Sequence, residues 1–510
     1  RQMCIRDSAT ANAADNATLT VSTTDAKFAG KTVNAYKMFS ATVSGDGKAV
    51  SYTLTDEWKP FFKNSVGLTG VTDENVNDKA NDYVSKLKDS TLVAFATKAS
   101  NWAQTKANNI TADATATVSA DASNGKYTAT FTGLGYGYYV VAVPGATLAN
   151  AKSQYATLVS VHSTKVDADI KGDLPTVDKK VQVDGTGKDA TDAKIGDTLT
   201  FTLTSTIPDM SAYDTYTFNF KDTLSKGLTF GQVKSVKVEN VTLTENTDYT
   251  VTTPTASNNN TLTVAMKDFK TKQQANAGKK ITVTYTATLN ENAVVGGAGN
   301  VNSAKIQYSN NPSTNGTGES EPSKVRVFTY GFTVDKYTGD QYTDAATRLA
   351  GAEFTLAHKD GSAISFVQVS AGSATANAVY RVAKAGETGT TTITTPANGK
   401  VVFEGLKNGE YTLTETEAPA GYNKLASAIG VKVNGQNNGT DTTNATVTIT
   451  YNNDNGNDYN QTASNGVIPV QNKSGAILPG TGGMGTIAFT VIGVLVIALG
   501  VAWTLKRKNA

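Results

Sequence analysis

Residues 280–289 read KITVTYTATL. From Ile281 onward an apolar residue alternates with threonine. Successive side chains of a strand point to opposite faces, so this strict period of two predicts a strand with one buried and one polar face. The same alternation runs through 198–204, 216–220, 233–241 and 261–264. Asn- and Gly-rich segments, such as 257–260 and 452–460, read as solvated loops. Regularly spaced short strands predict an immunoglobulin-like sandwich over residues 174–329.

The pattern extends both ways. Residues 330–474 repeat it. Residues 14–173 begin with strand patterns at Leu19–Val21 and through Val33, Ala35, Tyr36 and Phe39, and strands return at 127–131 and 138–143. Residues 73–107 differ. Val76, Ala80, Tyr83, Val84 and Leu87 fall on one helical face, with Thr72 and Asp73 as candidate caps. A second helical pattern runs through Leu92, Phe95, Ala96, Ala99 and Trp102. The expected fold is all-β: tandem immunoglobulin-like β-sandwich domains, the N-terminal one with a helical insertion.

A chain of 510 residues is long enough for several domains. Its 46 basic and 44 acidic residues nearly balance, so nothing points to nucleic acid. The only cysteine is Cys4, which excludes a disulfide within the chain. The only histidines, His162 and His358, fall in separate predicted domains, and the carboxylates are scattered. No metal-ligand cluster and no cofactor motif is legible, which argues against an extracellular enzyme. Residues 1–13 stand apart: RQMCIRDS has no compositional relation to the rest and resembles sequencing-adapter read-through. Ala9–Ala13 look like the end of a secretory signal, with the mature chain expected to start near Ala14.

Residues 475–510 read GAILPGTGGMGTIAFTVIGVLVIALGVAWTLKRKNA. The apolar run of about 487–505 is long enough for a transmembrane helix, and the basic tail Lys506-Arg507-Lys508 favours a cytoplasmic C-terminus. Ahead of them stands Leu478-Pro479-Gly480-Thr481-Gly482. The three parts together resemble the cell-wall sorting signal of Gram-positive surface proteins, with LPGTG a variant of LPxTG. The resemblance implies that a sortase cuts between Thr481 and Gly482 and joins the Thr481 carbonyl to an amine. Everything before residue 475 is then expected outside the cell.

Several polar residues break the hydrophobic phase. In PTVDKKVQV the set sharing a face is Val177, Lys179, Val181 and Val183. In YTFNFKDTL it is Phe218, Phe220, Asp222 and Leu224. In GNVNSAKIQYSNNP it is Asn300, Asn302, Ala304, Ile306 and Tyr308. The last domain repeats this with Phe332, Val334 and Lys336, with Tyr411, Leu413 and Glu415, and with Ile468, Val470 and Asn472. Strand ends emerging into solvent would explain any one of these. One lysine, one acid and one asparagine per domain point instead to chemistry. Burial disfavours charge, so a buried amine loses its proton and a buried acid keeps one. A neutral amine can attack an asparagine side-chain carbonyl that the acid polarises, releasing ammonia and leaving a Lys–Asn isopeptide bond. Fixed placement can supply an effective molarity of about 10⁵ M or more.

This constellation resembles the isopeptide-forming domains of Gram-positive pilins. Residues 174–329 are similar to a fimbrial isopeptide-forming domain, carrying PTVDKKV, KDTLSKGLTF and GNVNSAKIQYSNNP. Residues 330–474 are similar to a collagen-adhesin B-type domain, carrying FTVDKYTGD, LAGAEFTL, GEYTLTETEAPAGY and VQNKSG. The resemblance implies a Lys179–Asn302 bond promoted by Asp222 and a Lys336–Asn472 bond promoted by Glu415. Asn300 and Glu417 are the runners-up in phase. The N-terminal pilin domain aligns with the last one: Leu19 with Phe332, Phe28 with Leu349, Phe131 with Phe403. In that register Thr23 replaces Lys336 and Val143 replaces Glu415, so no such bond is expected there.

The resemblance as a whole implies a backbone pilin, the structural shaft subunit of a covalent pilus. A pilus-class sortase would join identical subunits head to tail. Minor pilins, peptidoglycan and a possible host surface ligand would be further partners. The tyrosine-proline-lysine motif that often carries the acceptor lysine is absent. In STKVDADIKGDLPT, Val166, Ala168 and Ile170 make one face and Lys171 falls on the other, so Lys171 is the candidate acceptor, with Lys165 second. The alternative reading is a monomeric wall-anchored adhesin using the same domains as a stalk.

Overall fold

The computed structural model describes residues 16–475, apart from 46–47, 147–155, 313, 315, 341–343, 437–443 and 454–457, and beyond them 493–494, 496–499 and 503. The LPGTG pentapeptide and most of the expected membrane span lie outside the described residues. Those described within the span are helical. Among the described residues no helix is long and apolar enough to cross a membrane.

Strand Lys280–Leu289 is central to one sheet, flanked by Thr198–Thr206 and Leu228–Val238, all antiparallel. Ile281, Val283, Tyr285, Ala287 and Leu289 are all fully buried. The threonines between them face their counterparts on Thr198–Thr206, with Thr198 and Thr288 hydroxyls 2.9 Å apart. Asp178–Val183 lies on the far side of Thr198–Thr206. The opposing sheet is built around Phe218–Leu224 and Asn300–Ser309, with Ser323–Phe328 and Thr261–Met266 outside them.

The following sandwich has a first strand, Tyr330–Tyr337, held between Lys400–Leu406, antiparallel, and Val467–Gln471, parallel. Its second sheet centres on Glu353–His358, Gly409–Glu417 and Ile429–Gln436. The N-terminal sandwich uses the same arrangement. Ala17–Thr23 lies between Tyr127–Leu134, antiparallel, and Lys165–Asp169, parallel. Facing it are Val50–Leu54, Thr32–Val43, Gly137–Ala142 and Ala156–Val161.

The helical insertion begins earlier than the apolar period indicated. A six-residue helix, Lys59–Asn64, precedes Val76–Ser85 and Asp89–Gln104. It is too short to display a period, and Pro60 sits in its first turn, where a missing N–H costs nothing. The expected caps Thr72 and Asp73 are not the N-cap. Asn75 holds that place, and its Oδ1 accepts the Thr72 N–H at 2.8 Å, which closes the turn before the helix. Trp58, Phe61, Phe62, Phe95 and Trp102 pack into an aromatic core separate from the one shared by the sandwiches.

The middle and last sandwiches join without a linker. Only Thr329 separates Ser323–Phe328 from Tyr330–Tyr337. Thr329 is fully buried and donates to the Leu406 carbonyl at 3.1 Å. Across the same junction Asn408 N–H meets Asp192 Oδ2 at 2.7 Å, Ile195 N–H meets Gly405 O at 3.0 Å, and Lys384 pairs with Glu291.

Candidate functional site

The alternation that makes each strand also decides what faces the interior. Asp178–Val183 turns Lys179 inward between Val177 and Val181, opposite Leu203 on the neighbouring strand. Phe218–Leu224 turns Asp222 inward, and Asn300–Ser309 turns Asn302 inward. Asp222 stands opposite Ala304 and Asn302 opposite Leu224, so the acid and the amide are diagonal neighbours on one sheet. Lys179 reaches them from the other sheet. All three have no solvent exposure, which excludes strand ends emerging into water.

Lys179 Nζ contacts Asp222 Oδ2 and lies 2.9 Å from Tyr285 Oη. Tyr285 Oη donates to Asp222 Oδ2 at 2.6 Å and accepts from Asn302 Nδ2 at 2.6 Å. The Phe201 and Tyr285 rings stack with centroids 5.3 Å apart and cover the ammonium at 5.1 and 5.2 Å. Burial pulls the Lys179 amine down to about 8, against the opposing pull of Asp222. Burial holds the Tyr285 phenol well above its ordinary value, with Asp222 adding to the effect.

The second cluster uses different elements. Lys336, on Tyr330–Tyr337, lies beside Val470 of the parallel last strand, and Asn472 follows two residues on. Glu415 comes across the sandwich from Gly409–Glu417. Lys336 Nζ is 2.8 Å from Glu415 Oε1, and Asn472 Nδ2 is 3.0 Å from Glu415 Oε2. The Leu425 N–H also donates to Oε2, at 2.8 Å. The Lys336 and Glu415 side chains have no exposure, and Asn472 is buried. Burial lowers the Lys336 amine, with Glu415 opposing.

The runners-up sit elsewhere. Asn300 is buried, but its amide closes the 294–300 loop, accepting from Val294 N–H at 2.9 Å and donating to the Val294 and Val327 carbonyls at 3.2 Å. Glu417 is exposed, because a bulge between Glu353 and Phe354 breaks the strand phase after Glu415.

Pairing in the N-terminal sandwich follows the register expected of it. Leu19 pairs with Phe131 as Phe332 does with Phe403, and Ala35 pairs with Val141 as Leu356 does with Leu413. Val21 lies beside Ala168 as Val334 lies beside Ile468. Carrying that register on puts Thr23, Val143 and Gly172 at the positions of Lys336, Glu415 and Asn472. All three reactive groups are replaced, the third by a glycine with φ of 103°.

Sequence reasoning missed Tyr285. It also missed a buried ion pair, Asp335 with Arg348 Nε at 2.6 Å, on the strand face opposite Lys336. Burial raises the Asp335 carboxyl against the pull of Arg348 and Lys400. Lys171 is exposed, with Nζ 3.3 Å from Asp169 Oδ2, and Val166, Ala168 and Ile170 pack against the core as their phase requires. Lys165 is also exposed. Among the described residues no group of His, Cys, Asp and Glu could hold a metal ion.

Three family models match parts of the chain. Residues 195–312 match the Gram-positive pilin backbone subunit 2, Cna-B-like domain. Residues 340–448 match a prealbumin-like fold domain, and residues 470–510 match the LPXTG cell wall anchor motif. The trypsin-resistant surface T6 protein of Streptococcus pyogenes serotype M6 is 25% identical over 279 residues, 49% of this chain. The chain covers 44% of that relative's length. Among solved structures, the T6 backbone pilin of serotype M6 S. pyogenes aligns with a TM-score of 0.48 at 18% identity, covering 90% of this chain and 99% of that one. The full-length major pilin SpaD of Corynebacterium diphtheriae aligns with a TM-score of 0.41 at 20% identity, covering 90% and 98%. The chain is similar to Gram-positive backbone pilins, and its anchor motif is that of a cell-wall protein.

Proposed function

We propose that this chain is the shaft subunit of a covalently polymerised pilus, strengthened by two intramolecular isopeptide bonds. The observation that carries the reading is the repeated cluster of lysine, acid and amide, sealed from water in two successive sandwiches. An ion pair in such a place is poor value for stability alone. Desolvation of the two charges offsets their attraction, and apolar residues of similar volume often serve as well. The arrangement makes sense as a reactive one.

A proton moving from lysine to acid gives a neutral amine, the form that burial of Lys179 and Lys336 favours. The Lys179 or Lys336 Nζ lone pair attacks Cγ of Asn302 or Asn472. The Nζ–Cγ bond forms, the Cγ–Nδ2 bond breaks, and ammonia leaves with one proton taken from the amine. Intact-mass spectrometry of the soluble region should show the loss of two ammonias, with cross-linked peptides joining Lys179 to Asn302 and Lys336 to Asn472. Loss of none or of three would remove the scheme.

Polymerisation needs an exposed amine to receive Thr481. Lys171 fits, because it is exposed beside the junction into the middle sandwich, and Lys165 is second. Lys171→Arg in the native host should collapse the ladder of pilus polymers to a single wall-linked band. A persisting ladder would move the assignment to Lys165. A single band from the unaltered chain would instead favour the monomeric adhesin.

A further inference from the structure

The middle cluster contains a hydroxyl that has no counterpart in the last one among the described residues. We propose that Tyr285 is a catalytic residue for bond formation in the middle sandwich, passing a proton from the attacking Lys179 amine to the leaving Asn302 nitrogen. The proposal rests on the isopeptide reading above and deepens it.

Reach motivates the assignment. In the last sandwich Glu415 touches both reacting nitrogens itself, at 2.8 and 3.0 Å. One carboxyl can collect the proton and return it. In the middle sandwich the acid is an aspartate, one methylene shorter. Its Oδ2 is engaged by Lys179 and Tyr285. Its Oδ1 has no partner, nor has Asn302 Oδ1. The amide nitrogen of Asn302 meets Tyr285 Oη instead, at 2.6 Å. That same oxygen is 2.9 Å from Lys179 Nζ. A buried phenol needs one hydrogen-bond partner to be satisfied. This one touches the attacking nitrogen, the leaving nitrogen and the acid at once. Its ring is fixed by the stack on Phe201 and by Phe230, with centroids 6.1 Å away.

The step balances with one net proton transfer. Nζ attacks Cγ, and the Nζ–Cγ bond forms. As the carbon becomes tetrahedral, Nδ2 gains a lone pair. The Tyr285 hydroxyl turns from Asp222 to Nδ2 and gives up its proton, while its oxygen takes one from Nζ. The Cγ–Nδ2 bond breaks, ammonia leaves, and Tyr285 ends as it began.

The test is a time course of both cross-links in the freshly synthesised full chain, read by mass spectrometry of the linked peptides. Tyr285→Phe keeps the ring and removes only the hydroxyl. The Lys336–Asn472 link should form at the unaltered rate, while the Lys179–Asn302 link slows by about 10²-fold, as expected for a lost acid–base group. Adding Asp222→Glu to Tyr285→Phe lengthens the acid toward Asn302 and should restore the link. A middle link that forms at the unaltered rate in Tyr285→Phe overturns the proposal. Slowing without rescue by Asp222→Glu also overturns it, since the tyrosine is then only structural. If the unaltered chain never forms the middle link, the isopeptide reading of that domain fails, and this proposal with it.

Discussion

Lys179 and Asn302 differ in what their removal would do. Asn302→Ala leaves the Lys179–Asp222 pair intact but forbids the bond. The link closes a long loop, and by the loop-closure entropy used for disulfides its loss should destabilise the middle sandwich by about 5 kcal/mol. The variant also exposes a titration that the bonded protein lacks. Burial lowers the folded Lys179 to about 8 from 10.5. Between those values the unfolded chain holds a proton that the folded chain has released, so stability of Asn302→Ala should rise with pH across that window and stay level below it. Denaturant melts of the variant at pH 7 to 10.5 check this. The unaltered chain, with its amine consumed, should show no such rise. A variant flat across the same range would mean that Lys179 is not desolvated.

Most of the cluster was legible at this scale because a period of two is unforgiving. A lysine in phase with Val177 and Val181 could still be a strand end, but a lysine, an acid and an asparagine in phase in each of two domains point into the core. Tyr285 was not legible for the same reason. It lies in phase with Ile281, Val283, Ala287 and Leu289, where an aromatic residue is ordinary core, and only the third dimension brings its hydroxyl between two nitrogens. Asp335 escaped notice because it falls on the opposite phase from Lys336, where a polar residue looks solvated. Its partner Arg348 arrives from a separate loop.

At the scale of elements, the two clusters tie different strands. The middle one would join Asp178–Val183 to Asn300–Ser309 across the sandwich. The last one would join neighbouring parallel strands, the first and final ones of its domain. The N-terminal sandwich pairs its first and last strands in the same way, but with Thr23, Val143 and Gly172 in the reactive places. It should therefore be the least stable unit. Calorimetry of the soluble region should resolve a first transition in which only the N-terminal domain melts, and trypsin at that temperature should leave a fragment containing the middle and last domains. A single cooperative transition would contradict this. The correspondence of the N-terminal and last sandwiches was legible because the Leu19 and Phe332 stretches share a phase. The Lys59–Asn64 helix was not, since one and a half turns carry no readable period.

Across the whole molecule, the junctions differ in kind. The middle and last sandwiches share a buried connecting residue, a continuous core and several hydrogen bonds. The first and middle sandwiches share that core but are not joined through a single buried residue, and they also meet through the helical insertion, with Asn101 donating to Ser211 Oγ at 3.0 Å. The tandem of sandwiches was legible from strand spacing. These junctions were not, because they depend on how loops such as 291–299 and 405–408 dock.

The parallel pairing of first and last strands has a mechanical meaning. A chain held by its two ends drags Ala17–Thr23 toward its start and Lys165–Asp169 toward its finish. The strands are loaded in shear, along their length, so the ladder's hydrogen bonds bear the load together and not one after another. Beyond the yield point of that clamp the N-terminal sandwich, where no isopeptide bond is expected, would pay out its length. The two sandwiches behind it, once bonded, can lengthen only outside their closed loops. In a filament joined from Thr481 to Lys171, as proposed above, the pull enters past the last strand of the N-terminal sandwich and runs only through the two sandwiches that hold the reactive clusters. The N-terminal sandwich, where no such bond is expected, then lies off the line of force.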